Sequence, residues 1–251
     1  MVTYIDVHCH IDRYEDEKIK GIIERARKAG IGIIINNGNN IDRNKKILEM
    51  FKDYNEVKIA LGIYPTECLD YDDKRIDEEI KFIRKNKAKI VAIGEVGIDL
   101  NERGDIEKQK KNLGKFVKLA MELNKPIIIH SRKAELETVE FLEGFKYKKI
   151  IMHCFSGKMS LVKRILDNGW YLSIPANVKY SEHFQNVIKI APIEQLFCET
   201  DSPWLHPDKE LNNEPANVIE SYKKIAEIKK MKFENVKNKI FENYERLFLS
   251  K

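Results

Sequence analysis

Asp6-Val7-His8-Cys9-His10, close to the start of the sequence, is the stretch on which the whole chain turns. Tyr4 and Ile5 lead into it, and that β-branched and aromatic run predicts a strand. Side chains at i and i+2 of a strand share a face, so His8 and His10 project together and Cys9 projects the other way. Two imidazoles reaching one point from a strand end can hold a divalent metal ion. An isolated His-x-His is equally what two buried, hydrogen-bonded histidines look like. Residues elsewhere in the chain decide between the two.

Outward from this strand, short apolar runs alternate with charged amphipathic stretches, the pattern of repeated βα units. A helix over 15–29 places Ile19, Ile22, Ile23 and Ala26 at helical spacing and stops at Gly30. Further strands are predicted at 32–36, 57–63, 90–95, 126–130, 149–153, 170–174 and 195–199. Helices lie between them, at 42–53 (with Asp42 as its cap), 74–86, 105–124, 134–145, 159–168 and 182–190. A last region, 213–251, reads as one long or two shorter helices, with Asn213 as N-cap and Pro215 in the first turn. Eight strands alternating with helices predict a TIM-type (β/α)8 barrel forming a single domain over 1–251, with an open doubly-wound sheet as the alternative on pattern alone.

Composition agrees with a soluble globular protein of that size. The chain has 251 residues, of which 43% are hydrophobic and 34% charged, and no apolar run approaches the ~20 residues of a membrane helix. No secretory signal precedes the first strand, so a cytoplasmic location is expected. Cys9, Cys154 and Cys198 fall in predicted strands and Cys68 in a loop, without a Cys-x-x-Cys pair, which favours packing roles over a disulfide or zinc framework. The net charge of +5 suits an anionic substrate but comes from 45 basic residues against 40 acidic ones, so it argues little by itself.

Where the polar residues fall argues more. His8 and His10 close the first strand, Glu95 the fourth, His130 the fifth, His153 the sixth, and Asp201 follows the eighth. Strand C-termini in a closed barrel open onto one face, and barrel enzymes keep their chemistry there. Four histidines and two carboxylates exceed a three-ligand site and match two divalent ions, Mg²⁺, Mn²⁺ or Zn²⁺, with open positions for water. Two carboxylates against four positive charges leave a surplus that favours an anionic phosphodiester. Arg132 after His130 and Lys158 after His153 are candidate phosphate contacts.

Together these motifs resemble the TatD family of metal-dependent deoxyribonucleases, within the amidohydrolase-like barrel superfamily. The resemblance is carried by Asp6-Val7-His8-Cys9-His10, by Gly94-Glu95-Val96-Gly97-Ile98-Asp99, and by the run from Pro126 to Arg132. It continues through His153-Cys154-Phe155-Ser156-Gly157, Glu199-Thr200-Asp201-Ser202-Pro203 and Asn213-Glu214-Pro215. It implies that His8, His10 and Asp201 bind one ion, that Glu95 bridges, and that His130 and His153 hold the second. The implied substrate is DNA, cut by a metal-activated water with Asp201 and Glu95 as catalytic residues. No obligate protein partner and no membrane are implied. The family usually carries Gly-x-His-Pro after strand three, and an Arg often precedes Asn-Glu-Pro. Here Tyr64 and Asn212 stand at those positions, which makes Tyr64 a candidate substrate contact. A metal-dependent ester or amide hydrolase, such as an aminoacyl-tRNA deacylase, is the alternative.

Overall fold

A computed structural model of the protein describes residues 2–101, 104–209 and 212–250; Lys251, the last residue of the predicted C-terminal helical region, lies outside the described residues. Strands and helices alternate as β1 (Tyr4–Cys9), α1 (Asp16–Lys28), β2 (Ile31–Asn37), α2 (Ile41–Met50), β3 (Val57–Leu61), α3 (Asp73–Lys85), β4 (Ala92–Asp99) and α4 (Ile106–Leu123). They continue as β5 (Ile127–Arg132), α5 (Glu135–Glu143), β6 (Ile150–Met152), α6 (Met159–Asp167), β7 (Tyr171–Pro175), α7 (Glu182–Ile190), β8 (Leu196–Glu199), α8 (Ile219–Lys229) and α9 (Phe233–Tyr244). The eight strands hydrogen-bond in chain order, β1 through β8, the strand order of a (β/α)8 barrel. Among the described residues no helix is long and apolar enough to cross a membrane.

The chain divides into two compact units, which are described separately. The first comprises the described residues up to Asn36 with Asp53–Lys58 and Tyr171–Ser250. In it β1 pairs in parallel with β2, Ile5 opposite Ile33 and Asp6 opposite Ile34, and β7 pairs with β8. Helix α1 buries Ile19, Ile22, Ile23 and Ala26, the stripe its spacing predicts. Tyr222 of α8 is fully buried, and its hydroxyl donates to the Ile5 carbonyl and accepts from the Ile5 N–H, tying that helix to β1.

The second unit comprises Asn37–Lys52 and Ile59–Trp170. Here β4 pairs with β5, Gly97 opposite His130 and Asp99 opposite Arg132. A Cβ at Gly97 would stand 1.9 Å from the His130 carbonyl oxygen, so the two backbones approach closely only because residue 97 has no side chain. Helix α4, capped by the Asp105 side chain and closed by Asn124 in the left-handed region, buries Leu113, Phe116, Val117 and Ala120.

Four expectations are corrected. Strand β4 does not end at Glu95 but runs on to Asp99, with all eight of its residues buried; a charged residue inside a buried strand was read as its end. Helix α2 is capped by Asn40, whose side-chain oxygen accepts the Arg43 N–H at 2.9 Å, rather than by Asp42. Asn213 does not cap the C-terminal region: its amide donates to the carbonyls of Thr200 and Trp204, and Glu214 holds the cap position of a short 3-10 turn, Pro215–Val218, ahead of α8. Cys154 lies beyond β6, with a left-handed φ of 43°, rather than within it.

Candidate metal centre

In the first unit the end of β1 is laced to the loop after β8. Asp201 N–H donates to the His8 carbonyl at 2.9 Å and His10 N–H to the Ser202 carbonyl at 2.8 Å. Beneath them the fully buried Asp6 carboxylate accepts from the N–H and hydroxyl of Thr200 and from the His8 N–H, which fixes the backbone on both sides. Asp201 itself is held at a φ of +53°, a conformation an L-residue keeps only where its surroundings impose it. The result brings three side chains together. His8 Nε2 and His10 Nε2 are 3.1 Å apart and lie 3.4 and 3.7 Å from Asp201 Oδ1. Both imidazoles are buried, and the Asp201 side chain is the more open at 17%.

In the second unit Glu95 of β4, His130 of β5 and His153 after β6 form another set. Glu95 Oε1 lies 2.9 Å from His130 Nδ1 and 3.3 Å from His153 Nε2, and the two imidazole nitrogens are 3.3 Å apart. The far nitrogen of His130, Nε2, lies 3.1 Å from Asp99 Oδ2. Tyr64 donates its hydroxyl to that same oxygen at 2.5 Å and is also 3.1 Å from His130 Nε2. Asp99 in turn is pinned by its backbone, exchanging two hydrogen bonds with the Gln109 side chain, and by the Asn101 N–H on Oδ1.

Charge follows this geometry. Burial pushes the Asp99 carboxyl up, but hydrogen bonds from His130, Tyr64 and Asn101 outweigh it and hold the group down at about 2. Burial works against a charged His130, yet hydrogen bonds to Asp99 and Glu95 raise its pKa overall. The Tyr64 hydroxyl is driven far up by burial and by Glu95, so it stays a donor at any ordinary pH. In its neutral form, with the Nε2 proton held on Asp99, His130 would free the Nδ1 lone pair on the side facing Glu95 and His153.

Each set has the donors of a divalent-cation site. Ligand atoms ~2.1 Å from one ion at tetrahedral or octahedral angles stand about 3.0–3.4 Å apart. The three separations are 2.9, 3.3 and 3.3 Å in the second unit and 3.1, 3.4 and 3.7 Å in the first. Imidazole lone pairs and a carboxylate oxygen crowded to these distances repel one another unless protons or a cation lie between them. Glu95, His130 and His153 thus fit the metal implied by their residue types.

The predicted substrate contacts are placed differently. Arg132, at the end of β5, and Lys158, at the cap position of α6, are exposed, and neither side chain contacts a candidate ligand among the described residues. Tyr64 is half-buried with its hydroxyl on Asp99 and His130. Asp99 itself was quoted in a motif without being given a role. Strand alternation held the signal, because residues 95, 97 and 99 share one face and two of them are acidic. Gln109 carried none, since its contact spans a turn the sequence does not specify.

Comparison with known proteins covers the same stretch. The family model described as TatD related DNase matches residues 5–249. An uncharacterized metal-dependent hydrolase of Methanocaldococcus jannaschii is 37% identical over 248 residues, 98% of this chain and 97% of that protein. The human deoxyribonuclease TATDN3 is 30% identical over 260 residues, 98% of this chain and 95% of that protein. The crystal structure of the Escherichia coli TatD homolog YJJV superposes with a TM-score of 0.91 at 25% identity over the whole of both chains.

Proposed function

The chain belongs to the TatD family of metal-dependent hydrolases, and from that premise we propose that it hydrolyses phosphodiester bonds in DNA with two divalent ions. The observation that carries the reading is the pair of ligand sets, Glu95–His130–His153 with separations of 2.9–3.3 Å, close to one ion's coordination shell, and the slightly wider His8–His10–Asp201 with separations of 3.1–3.7 Å. By the family's pattern the first set would hold one ion and the second set the other. Glu95 would be the carboxylate ligand of its set, and the six ligands would belong to one domain.

Two ligand carboxylates and the ionised Asp99 behind His130, set against the four charges two divalent ions would bring, leave about one positive charge in excess, which favours an anionic substrate over a neutral amide. When bound, divalent ions polarise a phosphoryl oxygen and make water easier to deprotonate. Asp201 accepts the proton of the attacking water, because its carboxylate is the more open member of its set. His130 keeps its Nε2 proton on Asp99 and presents Nδ1. Arg132, exposed at the end of β5, and Lys158, exposed at the start of α6, bind the phosphate oxygens that gain charge.

Ester or amide hydrolysis, as in deacylation of aminoacyl-tRNA, is the second reading, and Tyr64 in place of the family's usual His is what favours it. Incubating the metal-loaded protein with single-stranded DNA, RNA, charged tRNA and simple amides under one condition separates the two. DNA is expected to be cut fastest; faster cleavage of charged tRNA or amides overturns the nuclease reading.

A further inference from the structure

Three residues beyond Asp201, Trp204 leaves half of its side chain, 50%, open to solvent, although exposing an indole forgoes its burial energy. It is not a loose side chain on a loose loop. Its N–H donates to the Asp201 carbonyl at 2.9 Å, and its carbonyl accepts from the buried Asn213 amide at 2.7 Å. The indole stands edge-to-face against His10, with ring centroids 5.4 Å apart and planes at 71°. A backbone-anchored, open aromatic ring therefore touches a candidate metal ligand.

The turn after β7 meets this loop with a second open ring, and the two together bring positive charge. Tyr180, 43% exposed, donates its hydroxyl to the His206 carbonyl, and the Lys209 ammonium lies 4.8 Å from the Tyr180 ring centroid. Lys179 pairs with Asp208 beside them. Aromatic faces interleaved with cations are how proteins hold single strands without reading their sequence.

We propose that Trp204 is a stacking platform for a nucleobase adjacent to the scissile phosphate, with the strand continuing over Tyr180 and Lys209. The assignment rests on the phosphodiesterase reading. It also explains why a large apolar ring is kept exposed beside a buried ligand set.

The sequence contains two tryptophans, and Trp170 is buried with its indole N–H on the Tyr147 carbonyl, so a ligand-dependent fluorescence change reports Trp204. The test titrates the full chain as purified with a hydrolysis-resistant phosphorothioate oligodeoxythymidylate, and with an abasic sugar–phosphate oligomer of the same length. Expected are saturable quenching by the first and none by the second. Trp204→Ala weakens oligodeoxythymidylate binding on the order of tenfold, while Trp204→Phe stays within about threefold and the abasic oligomer binds all three proteins alike. Equal affinity of Trp204→Ala and wild type for oligodeoxythymidylate, or the same loss with the abasic oligomer, overturns the proposal. Metal-loaded cleavage of ordinary DNA is read in parallel. Cleavage indifferent to Trp204 refutes the platform and leaves the nuclease reading; base-dependent quenching with no cleavage refutes the nuclease reading and leaves the platform.

Discussion

Replacing Asp99 by Asn removes a charge that touches no ion and should still weaken metal binding. Asp99 is buried, at 3% exposure, so its contact with His130 is poorly screened. A hydrogen bond to a buried ion contributes about 1.5–3 kcal/mol, and at 3.1 Å this one is at the longer end. The Asn oxygen can still accept from Tyr64, so that contact survives in part. What is lost is the negative charge that holds the Nε2 proton of His130 and makes Nδ1 the stronger donor. Loss of such a partner behind a metal-binding histidine typically costs 10–100-fold in affinity. The structure places Asp99→Asn at the lower half of that range, about 1.5–2 kcal/mol or 10–30-fold. Calorimetric titration of the metal-free protein with Mn²⁺ or Zn²⁺ measures it, and ¹⁵N spectra of the imidazoles report the His130 tautomer independently. Affinity within about twofold of wild type, with His130 still protonated on Nε2, refutes the reasoning.

Other outcomes follow from the same geometry. Gly97→Ala puts a Cβ 1.9 Å from the His130 carbonyl, a backbone atom that cannot swing aside, and should cost about 3 kcal/mol in urea denaturation; a loss under about 1 kcal/mol contradicts the close approach. The metal-free protein should show a pH window for Asp99→Asn. Asp99, lowered from 3.8 to about 2, contributes stability that is present above 3.8 and lost as pH falls through about 2. His130, raised above 6.5, contributes stability that is present below 6.5 and lost as pH rises through its raised value. The destabilisation by Asp99→Asn, measured as a fall in Tm, is therefore largest between about pH 4 and 6.5 and shrinks on both sides. A Tm difference that does not vary with pH contradicts the pairing.

Much of the fold was legible because its elements carry simple periods. The helical stripe of α1 could be read from its period, and β5 and β8 from short runs, rich in β-branched or aromatic residues, buried nearly throughout. β4 misled at Glu95 because a buried strand that carries ligands violates the rule that charge marks a strand end. The six ligand types were visible as His and carboxylate residues near strand ends. Their pairing into sets of three depends on β1 lying beside β8 and β4 beside β5, which is topology rather than local sequence. The support of His130 by Asp99 and Tyr64 needs contacts across 31 and 66 residues, and no local pattern announces those. Asn40 and Asn213 were missed or misassigned for a smaller reason: several Asn and Asp residues near a helix start compete for one cap, and the backbone decides among them.

Cleavage of a labelled single-stranded oligodeoxynucleotide by the metal-loaded protein, with Asp201→Asn measured beside it, is the most direct test. Asn keeps the shape and one acceptor oxygen of Asp201 and removes the base. Wild type should cut the strand, and the substitution should lower the rate by about 10²–10⁴-fold. A variant that cuts at near wild-type rate would contradict the role given to Asp201, and with it the mechanism built on the two ligand sets.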